Sequence, residues 1–124
     1  MQRKLILGFH GSNVFANNAA SYAERRGYQA SFPRSLEQML DETRQALACH
    51  DTTVYTLMDA NFEFPGTLNS LPAEKVHALM KDRVASGTAM FLALTGNPEL
   101  YRSLQEKHIP AKIKPVYLSE IFAE

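Results

Sequence analysis

Five short runs of β-prone residues, separated by longer stretches with helical spacing, constrain this chain more than any other feature of it. The runs are Lys4–Phe9, Tyr28–Phe32, Thr53–Met58, Thr88–Leu94 and Ala111–Ile113. From Val14 to Arg26 the chain carries Phe15, Ala19, Tyr22 and Ala23 on one helical face, and Gly27 stops it. Ser35 and Gln38 form a capping-box pattern ahead of a stripe made by Leu36, Met39, Leu40, Thr43, Ala46 and Leu47. Pro72 opens a third helix that turns Val76, Leu79, Met80 and Val84 inward before Gly87. Asn97-Pro98 is a good cap and first residue for a fourth, with Leu100, Tyr101 and Leu104 as its apolar face. A short fifth runs from Tyr117 to Ala123.

Strict alternation of strand and helix indicates a parallel sheet covered by helices on both faces. Leu5-Ile6-Leu7, Val54 to Met58 and Ala89 to Leu94 are near-continuous apolar runs, as strands buried on both faces require. Tyr28 to Phe32 and Ala111 to Lys114 alternate instead, which places the second and fifth strands at the edges. With right-handed crossovers the simplest arrangement is a five-stranded sheet of order 2-1-3-4-5. The expected fold is therefore a three-layer α/β sandwich of the flavodoxin-like kind. The connection from Ala60 to Leu71 is long, contains Pro65 and Gly66, and is the expected mobile loop.

Composition narrows the function classes. The 124 residues suit a single domain spanning 1–124. Thirteen Lys and Arg balance thirteen Asp and Glu, so no global field steers the chain onto nucleic acid or an anionic membrane. The lone cysteine, Cys49, excludes an internal disulfide and a cysteine-rich zinc motif, and favours a reducing, cytoplasmic setting. The longest apolar run, Ala89 to Leu94, falls far short of a membrane span.

In a sheet of this order, ligands gather at the C-terminal strand ends, where the winding direction reverses. There the sequence places His10 after the first strand, Asp59 and Asn61 after the third, Thr95 after the fourth and Lys114 after the fifth. Each has a plain structural reading. Asp59 could cap its loop, Thr95 could bond the backbone before the fourth helix, and Lys114 could be a solvated edge-strand lysine. An acid, a hydroxyl and a cation ending three different apolar strands make a more specific set than any one of them.

These residues, with Ala93-Leu94-Thr95-Gly96 and Lys114-Pro115 on five βα units, make the chain resemble the receiver domain of two-component response regulators. The resemblance covers the chain from Lys4 to the shortened last helix. It implies that Asp59 is the phosphoacceptor for a histidine kinase, Thr95 the hydroxyl that bonds the phosphoryl oxygens, and Lys114 the cation paired with carboxylate or phosphate. It implies a signalling role in a phosphorelay rather than an enzyme in its own right. A carboxylate is a competent phosphoryl nucleophile when metal and positive side chains neutralise the transferring oxygens.

Two departures from the pattern point to the atypical, pseudo-receiver branch. Phosphorylated family members hold Mg²⁺ through an acidic pair after the first strand, whereas this chain reads Gly8-Phe9-His10-Gly11-Ser12. Asp59 and the backbone carbonyl of Asn61 alone would make a weak Mg²⁺ site. The aromatic switch position is Ala111, so the usual swinging ring is absent. His10 is either a solvated loop histidine or, protonated, fills part of the metal's volume and pairs with Asp59.

Other functions remain open at this level. A pseudo-receiver would work through protein contacts. Tyr101, Ile113, Tyr117 and Phe122 are the expected apolar surface of a face formed by the fourth helix, fifth strand and fifth helix, suited to a homodimer or a signalling partner. The short last helix is what the chain would show if an output domain followed, or if another chain covered the sheet there. A small-ligand or enzymatic domain is the alternative. His10 faintly resembles the first-strand histidine of small tetrapyrrole chelatases, and the Gly11-Ser12-Asn13 turn could hold a flavin or nucleotide phosphate.

Overall fold

A computed structural model of the chain describes residues 2–11 and 13–122. Its elements alternate from the start: β1 (Gln2–Gly8), α1 (Val14–Glu24), β2 (Tyr28–Ser31), α2 (Leu36–Ala48) and β3 (Thr52–Asp59). They continue through α3 (Leu71–Ala85), β4 (Ala89–Thr95), α4 (Pro98–Glu106), β5 (Ala111–Ile113) and α5 (Leu118–Ile121). All strand pairs are parallel and the sheet order is β2-β1-β3-β4-β5, as the apolar and alternating runs predict.

Side chains alternate across the sheet and divide the core in two. Ile6, Val54, Met58, Phe91 and Ala93 point to one face and pack against Met39 of α2, Val76 and Met80 of α3, and Leu100 and Leu104 of α4. Leu5, Leu7, Tyr55, Leu57 and Leu94 point to the other, under the alanine face of α1 and under Ile121 and Phe122. Small residues at Ala16, Ala19, Ala20 and Ala23 let α1 lie close to the strands. On the opposite face Gly8 does similar work at one point. A Cβ there would come within 2.6 Å of the Met39 sulfur and 3.2 Å of Met58 Cβ.

The caps follow the sequence, with one change. Asn13 Oδ1 accepts from Ala16 N (2.9 Å), and Asn97 Oδ1 accepts from Glu99 N (2.8 Å). Ser35 Oγ accepts from Gln38 N (3.0 Å) as a capping box requires, but Gln38 Oε1 takes Arg34 N rather than Ser35 N. Gly27 and Gly87 end α1 and α3 with positive φ (84° and 81°), where a Cβ would be strained.

The C-terminus corrects one expectation. Phe122 does not belong to an exposed face. It is 7% exposed and its ring packs on Tyr55 (5.2 Å between centroids) and Tyr22 (5.3 Å). Tyr55 Oη donates to the carbonyl of Ile121 (2.9 Å), so the short α5 is pinned to the sheet at its end. Ile113 and Tyr117 are exposed, at 41% and 69%. The 60–70 connection is held by its own bonds: Asn61 Nδ2 donates to Thr67 O, Thr67 Oγ1 to Phe64 O, and Phe62 is buried. No helix among the described residues is long and apolar enough to cross a membrane.

Candidate functional site

Strand register brings the polar strand ends together. Asp59 of β3 is aligned with Leu94 of β4, and Thr95 with Ile113 of β5, so Asp59, Thr95 and Lys114 end three successive strands. The ladder runs on past the strands, with Ala60 N donating to Leu94 O and Lys114 N to Thr95 O, both at 2.9 Å. Asp59 and Lys114 are separated by two strand spacings, about 10 Å. The long lysine side chain closes that gap, and Nζ lies 2.7 Å from Asp59 Oδ1.

The other carboxylate oxygen faces β1. Asp59 Oδ2 accepts from the backbone N of His10 (3.2 Å) and lies 3.6 Å from His10 Nε2. That ring nitrogen is closer to Asn61 Oδ1, at 3.1 Å, while Asn61 Nδ2 donates to Thr67 O. His10 is thus tied by its backbone to the acid and by its ring to the loop after β3. Asp59 is 3% exposed, and this pairing compensates for placing a carboxylate in such a spot.

Thr95 Oγ1 accepts from Asn97 N at 3.0 Å, so its hydroxyl shapes the turn into α4 while still facing the cleft. The cleft is open, about 270 Å³, and is bounded by His10, Asp59, Asn61, Thr67, Thr95 and Lys114. Thr67 carries no sequence signal that marks it as a rim residue. Its position depends on how the loop after β3 folds back, which no local pattern announces. Ala111 lies lower on β5, opposite Ala93, packed against the α2–α4 core. Ser12, the centre of the proposed phosphate-binding turn, lies outside the described residues.

The donor set does not fit Mg²⁺. Hard divalent cations of this size want carboxylates and water in octahedral array. Among the described residues Asp59 is the single acidic one bounding the cleft, and both its oxygens have nitrogen partners. The Asn61 carbonyl accepts from Phe64 N at 2.7 Å, closing a turn. Among the described residues no group of three or more His, Cys, Asp or Glu is placed to hold a metal.

Comparison with known proteins bears on the fold. No protein-family model matches the sequence, and no curated protein matches it. A solved structure of a RitR mutant is similar over 99% of this chain, with a TM-score of 0.58 and 16% identity. The fold is receiver-like. The chain spans about half the length of that RitR chain, and the likeness concerns architecture alone.

Proposed function

We propose that this domain is an atypical receiver that signals through protein contacts, with Asp59 held by Lys114 and His10 in place of a metal. One observation carries the reading: Lys114 Nζ sits 2.7 Å from Asp59 Oδ1 at the C-terminal rim of a receiver-like sheet. The RitR mutant structure shares this architecture. A lysine bound to a strand-end carboxylate balances its charge without Mg²⁺ and leaves the rim in one arrangement. The domain then works as a folded signalling surface. Ile113 and Tyr117 are its exposed apolar residues beside β5, available to another signalling protein or a second copy.

The same cleft favours a second reading, because Thr95 and Lys114 line it beside Asp59. In that reading Asp59 accepts a phosphoryl group from a kinase histidine, with Thr95 and Lys114 contacting its oxygens. Titration with beryllofluoride and Mg²⁺, followed by amide chemical shifts, separates the two. The metal-free receiver leaves the amides of His10, Asp59 and Gly96 unmoved. Saturable shifts there would establish the phosphoacceptor.

A further inference from the structure

A cavity of about 500 Å³, larger than the Asp59 cleft, adjoins it across His10. It opens between the segments that follow β1, β2 and β3, beside the point where the sheet reverses its winding. Open α/β sheets collect small molecules in that crevice. The floor is apolar and buried: Leu7, Phe9, Ala16 and Phe62. Phe32 stands at the rim with 46% of its surface exposed, an aromatic ring left without a cover.

The polar groups are few. Arg34 lines the cavity, and among the described residues its guanidinium has no ion pair or hydrogen bond. The side chain of Asn17, also on the lining, is likewise unpartnered among them. Among the described residues Glu63 is the one acidic residue there, and its Oε1 is already taken by the backbone N of Leu36 at the start of α2. Its backbone lies in the left-handed region (φ 74°).

We propose that this cavity binds a small aromatic carboxylate. The aromatic floor and Phe32 take the ring, Arg34 takes the carboxylate in bidentate fashion, and Asn17 supplies one further hydrogen bond. A single free guanidinium beside a glutamate supports one negative charge better than two, which favours a carboxylate over a phosphate ester. His10 forms the wall shared by this cavity and the Asp59 cleft, so an occupant would press on the ring that bonds Asn61. The ligand would thereby reach the site assigned above to signalling. The binding claim itself rests on the cavity and not on that assignment.

Amide chemical shifts read the proposal directly, with benzoate and indole-3-acetate as probes and benzamide and phenyl phosphate as controls. Both carboxylates should shift the Phe9, Arg34 and Phe62 amides saturably at concentrations up to about 10 mM, above the roughly millimolar Kd of fragments this size. Benzamide should bind about tenfold more weakly, and Arg34→Gln should abolish that difference. Phe32→Ala should weaken both carboxylates while leaving the protein folded, because the ring is exposed. No saturable shift, an unchanged benzoate affinity in Arg34→Gln, or tighter binding of phenyl phosphate than of benzoate would each overturn the proposal. None of these readouts involves modification of Asp59, so the failure of one reading leaves the other standing.

Discussion

Lys114 and Asp59 are 55 residues apart in sequence, yet the lysine ammonium lies 2.7 Å from the aspartate carboxylate across the end of β4. The aspartate is nearly inaccessible, whereas the lysine side chain is 42% exposed. That asymmetry makes the two residues unequal under mutation. Lys114→Met leaves a buried carboxylate with only the His10 contacts and should cost about 1–2 kcal/mol, less than a fully buried pair because solvent reaches the lysine. Adding Asp59→Asn should recover most of the loss. Urea denaturation of the two single variants and the double variant measures the coupling.

Arg83, near the end of α3, joins three segments. Its guanidinium donates to the Leu47 carbonyl at the end of α2 (2.7 Å) and to the Thr52 carbonyl at the start of β3. Nε donates to Thr88 Oγ1 (2.7 Å). Arg83→Leu should lower stability by about 2 kcal/mol, and Arg83→Lys should restore little, since an ammonium cannot span the fork. The urea midpoint of each variant checks this.

Acid should loosen the contact between α3 and α4. The Ser70 hydroxyl bonds Glu74 Oε2 (2.6 Å) and the Lys107 ammonium lies 3.1 Å from the same oxygen. The Ser70 bond first, and Lys107 after it, hold the Glu74 carboxyl below its ordinary 4.5 against the opposing effect of partial burial. A depressed folded value stabilises the protein above the unfolded value and loses that contribution as pH falls through the folded one. Melting temperature should therefore fall more steeply below about pH 4.5 in the wild type than in Glu74→Gln. Parallel slopes would remove Glu74 from the account.

The C-terminal helix depends on two side chains. Tyr55→Phe removes the hydrogen bond to Ile121 O and should cost about 1 kcal/mol. Phe122→Ala opens a hole among Tyr22, Tyr28 and Tyr55 and should cost about 3 kcal/mol. Hydrogen exchange should show the added opening first in residues 118–122.

The architecture is legible in the sequence because each strand reports its own surroundings. Leu5-Ile6-Leu7 and Ala89 to Leu94 are apolar on both faces only if helices cover both, and alternation in Tyr28 to Ser31 marks an edge. The rim residues are legible for a related reason: a polar residue that ends an apolar run must lie at the sheet's edge. What the sequence conceals depends on chain reversals. Phe122 follows a helix too short to show a periodic face, so its inward turn onto Tyr55 has no local signal. The Asn61 partner of His10, and the meeting of Phe32 and Arg34 with Phe62 around one cavity, arise from three loops folding toward each other. Gln38 matches a capping box by spacing, yet its Oε1 accepts from Arg34 N, one residue before the cap.

The most direct test of the metal-free arrangement is intact mass after incubation with acetyl phosphate and Mg²⁺, on the wild type and on Asp59→Asn. Both proteins should keep an unchanged mass, because Lys114 and the His10 backbone already occupy the two oxygens of Asp59. A wild-type mass increase of one phosphoryl group, absent from Asp59→Asn, would contradict it.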